Sequence, residues 1–89
     1  MITESEKRTI KEISQRYSIK RVLLFGSSLL SGKESRDIDL AVEGISPKDF
    51  FRYYGDLMLG LSRPVDVIDL SGASKFTKMI KEEGIPLYG

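Results

Sequence analysis

Apolar positions along this chain recur at two spacings, and each change of spacing marks a boundary between elements. Ile10, Ile13 and Tyr17 follow helical spacing behind Thr3 and Glu6, which stand three apart as in a capping box, so residues 4 to 17 are predicted to form an amphipathic helix. Arg21 to Phe25 is a short apolar run ending at Gly26, which predicts a buried strand. From Asp37 to Val42 the period is two, with Ile38, Leu40 and Val42 on one face and Asp37, Asp39 and Ala41 on the other: a second strand. Ser46, Pro47 and Asp49 then supply an N-cap, a first-turn proline and an early acid. Phe50, Tyr54, Leu57, Met58 and Leu61 follow as the inward stripe of a second helix, which Pro64 ends, while Phe51 and Tyr53 fall off that stripe and predict a further binding surface. Val65 to Leu70 reads as a third strand, and Ser71 to Ser74 as the cap of a last helix with Phe76 and Ile80 inward and Gly84 at its end. The order αβ(turn)βαβα predicts an α/β fold, a small mixed β-sheet flanked by helices.

Length fixes the scale of that fold. A chain of 89 residues buries only about 60% of the surface its unfolded form exposes, so residues 1–89 are read as one domain with one core. With 40% hydrophobic and 30% charged residues it is a packing sequence and not a disordered one. Fourteen Lys and Arg against 13 Asp and Glu leave a net charge of +1, so no global field draws the chain to nucleic acid or a membrane, no DNA partner is expected, and function must rest on a local site. Six cations (Lys7, Arg8, Lys11, Arg16, Lys20, Arg21) against three anions (Glu4, Glu6, Glu12) in the first 21 residues make the outer side of the first helix basic, either as a solvated face or as a binding stripe. The start of the chain is charged with no apolar run behind it, and no stretch approaches the ~20 apolar residues of a membrane span, so a soluble cytoplasmic protein is expected.

Composition also narrows the chemistry. The chain has no Cys and no His, which removes thiol nucleophiles, thiolate zinc sites, imidazole ligands and the commonest general base. Carboxylates, hydroxyls and cations remain. Asp37 and Asp39, two apart on a strand, project from one face about 7 Å apart and repel each other. An all-oxygen pair of this kind suits Mg²⁺ or Mn²⁺. Asp66 sits mid-strand in the third strand and can complete a three-carboxylate set, whereas Asp69, near the strand end, is placed to cap the next helix. Such a set clamps metal ions for in-line phosphoryl transfer. Gly26 and Ser27, directly after the first strand, offer backbone N–H groups and a hydroxyl to a phosphate, and the nine residues from Ser28 to Arg36 can return the chain so that this cradle meets the carboxylates.

An apolar strand, Gly-Ser, a spacer, Asp-x-Asp in a strand and a third Asp on a later strand together resemble the minimal nucleotidyltransferases of the DNA polymerase β-like superfamily. LLFGSSLLSGKESRDIDLAV, RPVDVIDL and the closing EGIPLY carry the resemblance over nearly the whole chain. It implies the polymerase β palm-like fold, with Gly26 and Ser27 holding ATP or another nucleoside triphosphate. Asp37 and Asp39 are implied to bind both metals, and Asp66 to bind the catalytic metal and help activate the acceptor hydroxyl. It further implies a small helical partner of the HEPN type, in a toxin–antitoxin pair where this chain is the antitoxin. That antitoxin either transfers AMP to the partner or neutralises it by contact alone, in a homo- or hetero-oligomer. Family members commonly follow Gly-Ser with Arg-x-Arg-Gly, whereas Ser28-Leu29-Leu30-Ser31-Gly32 has no cation here, leaving Lys33 and Arg36 as the nearby substitutes for binding triphosphate.

Overall fold

The structure, a computed structural model, describes residues 2–26, 37–72 and 74–89. Among these, helix α1 spans Glu4–Arg16, followed by strands β1 (Arg21–Leu24) and β2 (Ile38–Glu43), helix α2 (Pro47–Gly60), strand β3 (Val65–Asp69), helix α3 (Lys75–Glu83) and strand β4 (Ile85–Tyr88). The order is therefore αββαβαβ, one strand more than the sequence pattern predicts. The sheet runs β3-β2-β1-β4. β1 pairs antiparallel with β2 and β4, while β2 and β3 run parallel, joined by α2 as a crossover. This is the small mixed sheet with helices that the sequence predicts.

Alternation along the strands sends side chains to two cores. Val22, Leu24, Ile38, Leu40, Val42, Val65, Val67 and Leu87 pack with Ile10 and Ile13 of α1 and Tyr53 and Leu57 of α2. On the other face Leu23 and Ala41 pack with Leu70 and Ile80, so α3 covers that side. α1 begins as predicted: the Thr3 hydroxyl accepts the Glu6 N–H at 3.1 Å, and the Thr3 N–H donates to Glu6 Oε1 at 2.8 Å. Arg63 then grips the same carboxylate through Nε and Nη2, both at 2.8 Å, tying the start of α1 to the turn before β3.

Four sequence expectations are corrected. Tyr53 is fully buried and not off the stripe, because its hydroxyl meets the Ser14 hydroxyl at 2.8 Å inside the core; Met58, expected inward, is exposed. Asp69 does not cap α3: its Oδ1 accepts the Ser71 N–H at 2.9 Å, and Ser74 is the N-cap. Phe76, expected inward, is 51% exposed and meets Phe25 edge to face, whereas Ile80 is buried and Gly84 ends the helix as predicted. Phe51 is exposed, as its place off the stripe predicts.

Candidate active site

The site begins with the pairing of β2 and β3. The Ile38 N–H donates to Pro64 O at 2.9 Å, which starts the parallel ladder, and from there Ile38 pairs with Val65 and Asp39 with Asp66. Two carboxylates therefore stand side by side at the same end of neighbouring strands, on the face that also carries Ala41 and Ile68. Strands in a sheet lie about 4.8 Å apart, so this register sets the two aspartates next to each other on one rung. Asp37 lies immediately before β2 and is exposed; the strand itself starts one residue later than the sequence pattern predicts.

The end of β1 closes on the same place. The Phe25 N–H donates to Asp39 O at 3.0 Å, which carries the β1–β2 ladder one step beyond Leu24 and sets Gly26 against Asp39. Gly26 has φ +68°, and a Cβ there would stand 2.7 Å from Asp39 Oδ2. No side chain fits that gap, so backbone and carboxylate meet directly. Ser27, Lys33 and Arg36, expected at the phosphate, lie outside the described residues. The structure thus brings Gly26, Asp39 and Asp66 together, with Asp37 two residues upstream.

Sequence reasoning missed one neighbour. Tyr54, on α2, reaches round the β3 edge and its hydroxyl donates to Asp66 Oδ1 at 3.3 Å. Burial, and then the Asp66 charge, hold the Tyr54 hydroxyl above its ordinary value, so it stays a donor through the neutral range. Its helical spacing marked it only as a core residue, and nothing local links it to Asp66. Phe25 and Phe76, with ring centroids 6.4 Å apart, place two aromatic rings next to Gly26 in the chain and on α3.

The donor chemistry fits a hard divalent cation: Asp39 and Asp66 offer carboxylate oxygens on one sheet face, in a chain without His or Cys. Among the described residues no group of three or more His, Cys, Asp or Glu side chains is gathered as a ligand set, so what the sheet itself holds in register is a carboxylate pair. No helix among the described residues is long and apolar enough to cross a membrane.

No curated protein matches the chain. Among solved structures, a toxin–antitoxin pair with AMP-PNP superposes with a TM-score of 0.75 at 23% identity, covering 93% of this chain and 73% of that chain. A mutant toxin–antitoxin MntA–HpeT gives 0.74 at 22% identity, covering 93% and 72%. The toxin–antitoxin MntA–HepT gives 0.73 at 22% identity, covering 98% and 73%. At such identities the likeness is one of fold. The family model described as Polymerase beta, Nucleotidyltransferase matches residues 8–89, which takes in both strands of the carboxylate pair and the backbone of Gly26, and the chain belongs to that family.

Proposed function

We propose that this chain is a metal-dependent nucleotidyltransferase that acts as the antitoxin of a HEPN-type helical partner, transferring AMP from ATP to a hydroxyl of that partner with pyrophosphate as the leaving group. The observation that carries the reading is the register of Asp39 against Asp66, with the Gly26 backbone pressed on the Asp39 carboxylate. Family membership and the fold shared with toxin–antitoxin structures, one of them with AMP-PNP, support the same reading.

In this reading Asp37, Asp39 and Asp66 hold Mg²⁺ or Mn²⁺, which would supply charge neutralisation at the transferred phosphoryl group and a lower pKa for the attacking hydroxyl. The backbone N–H groups at Gly26 would face the triphosphate, and the missing side chain lets that backbone stand directly against the Asp39 carboxylate. Ser27, Lys33 and Arg36 add a hydroxyl and two cations to the triphosphate. Tyr54 donates to Asp66 and so fixes the rotamer of that carboxylate, leaving its other oxygen for ligand or proton. With no His in the chain, Asp66 is the group that accepts the proton of the acceptor hydroxyl. Transfer of labelled AMP from ATP to the purified partner tests this: wild type labels the partner, and Asp39→Asn and Asp66→Asn do not. Equal labelling by either variant rejects the assignment.

A second reading is neutralisation by contact alone. What favours it is the exposed apolar side of α2, where Phe51 is 80% and Leu59 89% exposed. If Asp39→Asn still protects cells from the partner while Phe51→Ser does not, contact is the function.

A further inference from the structure

At the opposite end of the sheet from the carboxylate pair lies a cleft of about 870 Å³, between the C-terminal ends of β2 and β3 and the start of α3. Buried Leu70 is among its lining residues, and Ser71, Gly72 and Thr77 line the side toward α3. Four lysines surround it, Lys20, Lys75, Lys78 and Lys81, against one acid, Glu43. In a chain whose net charge is +1 this is a local concentration of positive charge.

The charges are not self-cancelling. Glu43 is engaged by Lys81 at 3.0 Å, by Arg21 at 3.1 Å and by Lys20 at 3.8 Å, and these cations hold its carboxyl below the usual range, so it stays ionised and is spent on them. Lys75 and Lys78, one turn apart on α3, pair with no carboxylate among the described residues, and both are exposed. The opposite wall is set by a glycine: Gly44 has φ +86°, and a Cβ there would meet Lys20 Cβ at 2.6 Å, so the missing side chain is what lets the Lys20 stem lie across the end of β2. Glu43 stands four positions beyond Asp39 on β2, which puts this cleft about 13 Å from the carboxylate pair along the strand.

We infer that this cleft is a second site, separate from the carboxylate pair, which binds the phosphate groups of a polyphosphate or of an RNA strand through Lys75, Lys78 and Lys20. Phosphate is the group that closely spaced ammonium charges recognise, and because the Thr77 hydroxyl on this wall is already held in the α3 cap by Ser74 and Gly72, the lysines carry that recognition. The inference stands whether or not the carboxylates transfer nucleotides.

The test uses the full chain in chelator at low salt, titrated with inorganic tripolyphosphate and, separately, with a labelled single-stranded oligoribonucleotide. Amide chemical shifts of Gly44, Ser71, Gly72 and Thr77 should move while those of Asp39 and Asp66 do not. Lys75→Gln combined with Lys78→Gln should weaken binding about tenfold and, for the RNA, lower the salt dependence by about two phosphate contacts. Asp66→Asn should leave it unchanged. Tight binding of tripolyphosphate alone identifies a small polyphosphate as the source, and tighter, salt-steep binding of RNA identifies a strand. Shifts confined to the carboxylate end, affinity unchanged in the double variant, or polyglutamate bound as tightly as tripolyphosphate would overturn the inference, the last by showing a surface for acidic protein segments.

Discussion

At the scale of single residues, two glycines with the same backbone problem separate function from architecture. Gly26 and Gly44 both adopt left-handed φ and both lack room for a Cβ, but Gly26 would strike the Asp39 carboxylate and Gly44 the Lys20 stem. Alanine at either position forces a conformation that costs about 1–2 kcal/mol for an L-residue, before the clash is counted. Urea denaturation should therefore show both Gly26→Ala and Gly44→Ala destabilised by that amount, while partner labelling is lost only in Gly26→Ala. Equal loss in both would mean that Gly26 serves the turn and not the site. Tyr54 asks a finer question, since Tyr54→Phe removes one hydrogen bond to Asp66 and little else. About 1 kcal/mol of positioning is at stake, a roughly fivefold fall in transfer rate with ATP affinity unchanged. Of these residues Gly26, Asp39 and Asp66 were legible in the sequence, because a strand-ending Gly and acids among branched residues are locally anomalous. Tyr54 was not, because an aromatic residue at helical spacing is ordinary until a tertiary contact gives its hydroxyl a partner.

Among whole elements, the sequence showed the helices and the first three strands because their periodicity is local, and lost what depends on pairing. β4 was hidden by Pro86, which cannot donate to a ladder and argues against a strand; it is tolerated because β4 is an edge that pairs with β1 alone. Helix α2 was placed correctly but rotated, its buried line running through Tyr53 and Leu57 instead of Met58. Hydrophobicity ranks Met above Tyr, and only the Ser14 hydroxyl, 39 residues away in sequence, makes a buried Tyr the better choice. The α1–α2 contact should register that bond. Tyr53→Phe leaves the Ser14 hydroxyl buried without its partner and should cost about 1–2 kcal/mol, with Ser14→Ala added on top restoring part of it, as a double-mutant cycle in urea would show. The same burial gives a pH signature. The Tyr53 hydroxyl is pushed up to about 12 from 10.0, so the unfolded chain releases this proton first as pH rises. Its contribution is complete below pH 10 and is lost between about 10 and 12, and Tyr53→Phe should flatten the alkaline limb of the stability curve there. On the acid side Glu43 and Glu6 are held below 4.5 by Lys81 and Arg63 respectively, so the stability they add is present above that pH and fades as pH falls through their lower folded values.

For the whole molecule, the arrangement of charge along one sheet face has a consequence for stability that distinguishes the two roles the carboxylates can have. Asp39 and Asp66 share a rung at one end of that face, while the acid at the other end, Glu43, is surrounded by three cations. A domain of this size holds only a few kcal/mol of net stability, so a repulsive rung is a measurable fraction of the total. If the rung exists for metal and nucleotide, Asp66→Asn in chelator relieves repulsion and should melt at the wild-type temperature or above it, whereas Glu43→Gln, which removes ion pairs, should lose about 1 kcal/mol of stability and melt lower. Adding Mg²⁺ or Mn²⁺ should raise the wild-type Tm by mass action and raise that of Asp66→Asn much less, because only native-state affinity shifts unfolding. The Glu43→Gln protein, with its carboxylate pair intact, should gain as much from metal as the wild type does. Calorimetry of the three proteins with and without metal reads all of these differences. A wild type indifferent to metal, together with an Asp66→Asn protein that melts clearly lower in chelator, would assign the two aspartates to the fold, through Tyr54 on one side and Gly26 on the other, and would leave contact with the partner as the function of the chain.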